Sequence, residues 1–200
     1  MEDKPTSFLR VWLMGYTQPL RVGEALRDKP APFWGLAAQL IRAMMDALLV
    51  YLPMSIIGAV PESPSTLSFI PTESYYAISV GMAPLFILGQ WLLLCAVLHV
   101  VLRLTGRASD LDQILNLTGM AALVVGTVLV VWDWIWFGLG WHSDVVLGIS
   151  HLVIDVWGIV IIVAGLRILL GVPVKLGIIL NLIWLALGVP LAMIFMRSPV

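Results

Sequence analysis

The sequence predicts an all-α integral membrane bundle of five transmembrane helices, preceded by an amphipathic segment at the membrane interface. Of the 200 residues, 60% are hydrophobic and only 12% are charged, and the mean hydropathy is +1.01. A water-soluble domain of this length could not bury so much apolar surface. Five apolar stretches approach or exceed the roughly 20 residues that a helix needs to cross a bilayer. They cover residues 33–57, 78–102, 114–138, 146–170 and 174–196.

Residues 1–32 form a leader of different character, ahead of the five-helix domain at 33–200. An apolar patch that includes Phe8 and Trp12 is followed by a second segment, which starts at Pro19 and mixes apolar with charged residues. Proline suits the first position of a helix, where its missing N–H would be unpaired anyway. We expect two short amphipathic helices on the cytoplasmic leaflet, with Phe8 and Trp12 dipping into the membrane. The alternative is a mobile tail that docks on the base of the bundle. No cleaved signal peptide is expected.

The orientation follows from where lysine and arginine fall. The leader, the turn after the second span and the turn after the fourth span carry basic residues, whereas the loops at 58–77 and 139–145 carry none. Basic residues prefer the cytoplasmic side of a membrane. The N-terminus is therefore predicted in the cytoplasm and the C-terminus outside, in the cell (inner) membrane.

Tryptophans cluster at the outer end of the third span. Indole rings favour the headgroup level of a bilayer. Interfacial anchoring is therefore the expected role of four of them, Trp132, Trp134, Trp136 and Trp141.

Ionisable residues inside apolar spans are the main candidates for a functional site. They are Arg42, Asp46, Asp133, His151 and Asp155. A charge at this depth costs several kcal/mol unless it is paired or hydrated, so these side chains are expected to face the bundle interior. Arg42 and Asp46 lie four residues apart, as do His151 and Asp155, so each pair shares one helix face. We predict one polar cluster that opens outward, with Arg42 at its inner end.

Three interpretations of this cluster stay open. The charges could only neutralise one another and fix the helices in register, or they could line a cavity for protons, ions or a polar solute. A divalent metal site is the third, using His151, Asp155, Asp133 and His142, although two ligands four residues apart are a weak signal. A haem is not expected, since His99 and His151 lie near opposite faces.

Several function classes have no support in the sequence. There is no hydrolase, kinase, metalloprotease or nucleotide motif, no basic patch for nucleic acid and no sign of a cofactor. Cys95 is the one cysteine and lies in an apolar run, which excludes an internal disulfide. An enzyme is therefore not expected.

Three segments carry a resemblance to a known family. They read GYTQPLRVGEALRDKPAPFWGLAAQLI, VLRLTGRASDLDQILNLTGMAALV and DVWGIVIIVAGLRILLGVPVKLGIILNLIWLAL. The chain resembles the membrane domain of the Yip family, the Ypt/Rab-interacting proteins and their prokaryotic relatives, and looks like a prokaryotic-type member. The resemblance implies a five-helix membrane protein; in eukaryotes such proteins bind Rab GTPases and take part in vesicle traffic.

Two functions remain as hypotheses from the sequence. The first is a membrane scaffold, organiser or trafficking-type interaction protein without chemistry of its own, which contacts the lipid bilayer and associates with itself or with a membrane or cytoplasmic protein. The second is a small channel or transporter for ions, protons or a polar solute that uses the Arg/Asp/His cluster.

Overall fold

The computed structural model describes residues 7–30, 32–61, 67, 69–141 and 143–192. The helices are α1 (Phe8–Thr17), α2 (Val22–Leu26), α3 (Phe33–Asp46), α4 (Leu52–Ile56), α5 (Tyr75–Leu104), α6 (Leu111–Gly138), α7 (Asp144–Leu170) and α8 (Val174–Ala192). The leader contains α1 and α2, and a short 3-10 turn at Pro19–Arg21 precedes α2. The five spans follow, and the first is a continuous helix in which a π-helical turn, Ala47–Tyr51, joins α3 to α4.

Five of these helical segments are long and apolar enough to cross a membrane, which confirms the predicted all-α fold class. The bounds differ slightly from the prediction. α5 begins at Tyr75 and α6 at Leu111, because polar residues at both starts form helix that hydropathy alone does not count. Asp110 caps α6 by accepting hydrogen bonds from the backbone N–H groups of Asp112 and Gln113. The predicted end of the last span, at 193–196, lies outside the described residues.

α6 is the central helix of the bundle. In its most apolar window 78% of the residues are buried, compared with 22–33% in the other four spans. It packs against α3, α5, α7 and the leader. α3, α5 and α7 therefore pack around α6, while α8 packs on α5 and α7, and these spans turn their apolar outer faces toward the lipid.

α3 and α6 cross at van der Waals contact because glycine occupies the crossing point on both helices. A methyl group added to Gly119 would clash with the backbone of Gly35, and one added to Gly35 would clash with the backbone of Leu115 and Asn116. The Asn116 side chain strengthens the crossing, since its Oδ1 accepts a hydrogen bond of 2.8 Å from the N–H of Gly35. This crossing fixes α3 close to α6 at the end of the bundle that carries the leader.

The π-helical turn has a clear local cause. Pro53 has no N–H, so the carbonyl of Leu49 loses the donor that an α-helix would supply from four residues later. The indole of Trp134 replaces that donor with a hydrogen bond of 2.7 Å to the Leu49 oxygen. Trp134 thereby ties α6 to the irregular part of the first span.

The leader packs against the bundle as a helical hairpin. Gly15 on α1 contacts Val124, and its carbonyl accepts a hydrogen bond of 2.8 Å from Trp157. Val124 lies thirteen residues along α6 from Leu111, or about 20 Å at 1.5 Å per residue. The chain then turns back, and Gly23 contacts Gly165 near the end of α7.

The two predicted helices of the leader are thus packed on α6 and α7, and their position on the cytoplasmic leaflet stays a prediction. Phe8 and Trp12 do not point away from the protein; both pack against the buried core, and Phe8 contacts the Trp34 ring at 5.5 Å. The apolar side chains that α1 exposes are Leu9 and Leu13. Glycines at 15 and 23 allow a close approach to α6 and α7 that amphipathicity does not reveal.

Connectivity defines two ends of the bundle. The leader side holds the leader, the α5–α6 turn and the α7–α8 turn. The opposite side holds the loop after α4 and the α6–α7 turn.

Candidate functional site

A cavity of about 330 Å³ lies between all five spans. All five ionisable residues singled out in the sequence line it. They come from three helices, with Arg42 and Asp46 on α3, Asp133 on α6, and His151 and Asp155 on α7. The bundle therefore gathers these residues around a single space.

Arg42 and Asp46 form a salt bridge one helical turn apart, and both side chains are largely buried. The salt bridge matches the four-residue spacing read from the sequence. Gly126 of α6 makes room for it, because an added methyl group at that position would occupy the space of the Arg42 side chain at Cδ and Nε. The Arg42 side chain thus lies across α6 at Gly126, because glycine has no side chain that would occupy this space.

Asp133 and His151 join α6 to α7. The Oδ1 atom of Asp133 lies 2.7 Å from Nε2 of His151, and both side chains are 13% exposed. Their chain neighbours make a second link, in which the Trp132 indole donates to the Ser150 hydroxyl at 2.7 Å. Two adjacent polar contacts therefore fix the register of these helices.

Asp155 makes no hydrogen bond or salt bridge with any residue that the structure describes. Its carboxylate interacts electrostatically with His151, one turn earlier on the same helix, and with Arg42. Asp133 likewise acts on Arg42 and Asp46 through space. The five residues thus form one electrostatic group, in which Asp155 is the carboxylate without a direct partner among the described residues.

The group is acidic on balance. Three carboxylates face one guanidinium and one imidazole, so the formal charge of the group, counted with all three carboxylates ionised, is −2 with a neutral His151 and −1 with a protonated one. Uncompensated charge at this depth is costly, because water that would solvate it is scarce. The arrangement favours the uptake of a proton or another cation.

Amide side chains add neutral polar groups to the cavity. Gln90 donates to the carbonyl of Gly188 at 2.8 Å and links α5 to α8. Asn181 donates to Gly177 within α8. Gln39 is 4% exposed, and its Oε1 atom has no hydrogen-bond partner among the described residues.

Among the described residues, the lining of the cavity approaches one side of the bundle only. Toward the opposite side its lining reaches Tyr51, Tyr76, Phe137 and Ala192, close to the ends of their helical segments. Toward the leader side the lining stops at Gln39, Leu94, Thr118, Ile162 and Asn181. Beyond them lies packed apolar core that includes Leu98, Leu102 and Ile114.

The metal interpretation gains nothing from this geometry. Within the described part of the chain no three His, Cys, Asp or Glu side chains converge as metal ligands. His142 lies outside the described residues. His99 is far from the cavity, where its Nδ1 pairs with the Ser109 hydroxyl at 2.8 Å.

The tryptophans at the end of α6 have varied surroundings. Trp136 is 3% exposed and packs against the Trp141 ring at 4.8 Å, so it lies within the protein and not at a lipid surface. Trp132 is partly buried, and its indole N–H donates a hydrogen bond to the Ser150 hydroxyl. Trp134 and Trp141 are exposed, and for them interfacial anchoring stays a prediction.

Sequence reasoning missed two contributors to the site. Gly126 resembled every other glycine that allows helices to approach, and Gln39 resembled an ordinary interhelical amide. Their position relative to Arg42 gives a partial signal, since Gln39 lies one turn before it on α3. Gly126 could only be found once α3 and α6 were placed together.

Comparison with known proteins gives one match. The Yip1 domain matches residues 16–196, which is most of the chain and includes all five residues of the electrostatic group. No curated protein and no solved structure matches.

Proposed function

Because the chain belongs to the Yip family, a non-enzymatic family of membrane proteins, we propose that it works by binding, and that a proton or a small cation is what its cavity takes up. The observation that carries this proposal is the charge imbalance, three carboxylates against one arginine in a space between five spans. A purely structural ion-pair network has no need of Asp155, which adds negative charge without a direct partner among the described residues.

The one-sided cavity favours a carrier or exchanger over an open pore. A continuous pore needs polar lining from one side of the membrane to the other. Here packed apolar core closes the leader side, and the close crossing of Gly35 and Gly119 lies in that half. A cation that enters from the opposite side would reach the acidic group and stop there until the bundle rearranges.

The distribution of Lys and Arg supports a proposed orientation. We place the leader side in the cytoplasm and the opposite side outside the cell membrane, because the described loop residues of the opposite side carry no basic residue. The cavity then faces the exterior.

Reconstitution tests the proposal. Proteoliposomes with a trapped pH indicator are given a proton gradient, and the rate of its dissipation is compared for wild type, Asp155→Asn and Asp28→Asn. We expect liposomes with the wild-type protein to dissipate the gradient faster than protein-free liposomes. Asp155→Asn should remove about nine-tenths of this increase in rate, since it removes the carboxylate that would bind the proton.

Asp28→Asn is the matched control, because Asp28 is exposed in the leader and distant from the cavity. It should behave as wild type. Vesicles as tight as protein-free ones, or equal rates for wild type and Asp155→Asn, would refute transport and leave a scaffold as the better function.

A scaffold that associates with itself is the second candidate, and the leader favours it. Arg21 and Glu24 form an exposed ion pair, with side chains 67% and 56% accessible. They follow the point where the hairpin turns back, and the turn and α2 pack beside the membrane-spanning helix α7. A second copy of the chain covering this pair would remove a charged surface from lipid.

The scaffold candidate predicts a specific response. Replacing both Arg21 and Glu24 by leucine should lower the yield of cross-linked dimers in membranes, because the polar contact is lost. The pair of substitutions Arg10→Leu and Asp28→Leu removes the same charges from exposed leader positions elsewhere and should leave the dimer yield unchanged.

A further inference from the structure

The geometry points to a more specific ligand for the cavity: we infer that it binds a small organic ammonium ion that carries an apolar or aromatic group. This inference rests on the proposed function and names the class of cation. Asp155 would face the ammonium charge, and the Oε1 atom of Gln39 would accept a hydrogen bond from one of its N–H groups.

The other walls of the cavity are largely aromatic and aliphatic. Rings from α5, α6 and α8 line the space, among them Phe86, Trp91, Phe137 and Trp184. Aromatic faces attract cations within about 6 Å, and they also provide apolar contact for the remainder of an organic ligand. A small inorganic ion would use the carboxylates and leave these walls without a function.

The Gln39 side chain indicates that the ligand carries a hydrogen-bond donor. Its Oε1 is buried, lines the cavity and lacks a hydrogen-bond partner among the described residues. An unsatisfied buried acceptor costs about 1–3 kcal/mol. A primary or secondary ammonium supplies an N–H for it, whereas an alkali metal ion supplies none.

The carboxylates are also badly placed for a small divalent ion. No group of three His, Cys, Asp or Glu in the described ranges converges on one point. Asp46 pairs with Arg42 and Asp133 with His151, which leaves Asp155 to meet the ligand. One carboxylate and one amide oxygen suit an ammonium group, which donates up to about three hydrogen bonds, better than a divalent metal ion, which needs about six or more oxygen ligands.

The volume of the cavity limits the ligand. At about 330 Å³ it lies at the lower end of the range for small-molecule sites, roughly 300–1,000 Å³. A molecule with one aromatic ring and a short amine chain fits this limit, and a whole phospholipid does not.

Calorimetric titration of the purified full-length protein tests the inference. The probe is 2-phenylethylammonium, and 2-phenylethanol serves as its neutral counterpart of the same shape. We expect saturable binding of the ammonium and at least tenfold weaker binding of the alcohol. Asp155→Asn should weaken ammonium binding at least about tenfold, because a buried charge pair is lost.

Gln39→Leu should weaken ammonium binding about fivefold, in line with the loss of one hydrogen bond, and Asp28→Asn should have no effect. Thermal unfolding of each variant checks that the bundle is intact, and equal melting temperatures with altered binding support a direct role. For a variant that unfolds, the comparison of ammonium with alcohol on wild type decides alone.

Three results would overturn the inference: equal binding of the alcohol, ammonium binding that Asp155→Asn leaves unchanged, or no saturable binding by wild type at about 10 mM. Proton flux that depends on Asp155 would then show that the proposed function holds for another cation. Loss of both signals would refute the proposed function as well.

Discussion

The two halves of the bundle differ in how their helices meet. On the leader side, glycines bring α3 against α6 and the leader against α6 and α7, and the core there is apolar. On the opposite side the same helices separate around a cavity that contains five ionisable residues. The close-packed half anchors the helices, so the open half can hold charged groups without collapsing.

The difference also shows where binding energy could arise. Close-packed apolar interiors respond strongly to added volume, whereas a cavity tolerates it. Charges, in contrast, matter most in the open half, since they face one another with little water. Substitutions of similar size should therefore act on stability in one half and on ligand uptake in the other.

The largest expected effect is on stability, from Gly119→Ala on the leader side. The new methyl group meets the backbone of Gly35, which cannot move without shifting α3. Overpacking of this kind should cost about 3 kcal/mol, and the midpoint of thermal unfolding in detergent should fall by about 6–12 °C.

Gly81→Ala is the matched control for this effect. Gly81 also lies in a span, but an added methyl group would meet no atom within 4 Å. The control should be as stable as wild type or slightly more stable, because alanine favours the helix. Equal destabilisation by both substitutions would contradict the close crossing of α3 and α6.

Gly126→Ala should act at the border between the two halves. Its methyl group displaces the Arg42 side chain and disturbs the salt bridge to Asp46, at a cost of about 2 kcal/mol. The cost should be smaller than that of Gly119→Ala, since the methyl group at residue 126 meets a flexible side chain, whereas the one at residue 119 meets a backbone. Proton flux in proteoliposomes should fall too.

The same substitution measured in a variant that lacks the Arg42 side chain tests the cause of this cost. In an Arg42→Ala protein the side chain ends before Cδ and Nε, which are the atoms that a methyl group at Gly126 would meet, so Gly126→Ala should cost less than about 1 kcal/mol there. Additive costs of the two substitutions would show that Arg42 does not lie against Gly126.

Asp133 and His151 should show a moderate coupling. A double-mutant cycle with Asp133→Asn and His151→Gln, measured by thermal unfolding, should give a coupling free energy of about 1 kcal/mol for this partly buried contact. A coupling near zero would mean that the two side chains do not meet between α6 and α7.

The smallest effect is expected at the π-helical turn. Trp134→Phe removes the donor to the Leu49 carbonyl and should reduce the free energy of unfolding by about 1 kcal/mol. Trp141→Phe keeps an exposed aromatic ring, whose side-chain contacts with the described residues are to other rings, and should change the free energy of unfolding by less than about 0.5 kcal/mol. A larger loss from Trp141→Phe would point to interfacial anchoring as the stronger contribution.

Much of the fold could be read from the sequence. Hydropathy located the five spans because lipid imposes the same requirement on every residue of a crossing helix. Helical spacing predicted the Arg42–Asp46 pair, and the cost of charge in lipid predicted that Asp133, His151 and Asp155 would face the interior. The structure places all of them around one cavity.

The leader and the glycine contacts could not be read in the same way. Whether Phe8 faces lipid or protein depends on which helix lies beside α1, and no local pattern specifies that. Gly15, Gly23 and Gly126 derive their roles from residues more than eighty positions away along the chain. Such contacts belong to the tertiary arrangement, and periodicity does not reveal them.

Cysteine labelling tests the central claim most directly, namely that an acidic cavity reaches the middle of the bundle from the opposite side alone. Ala122→Cys places a thiol in the lining, while native Cys95 stays buried as an internal control. In membrane vesicles of known orientation, an impermeant cationic thiol reagent should label residue 122 from the opposite side, faster than an anionic one of equal size. Labelling from the leader side, faster labelling by the anionic reagent, or none from either side would contradict the account.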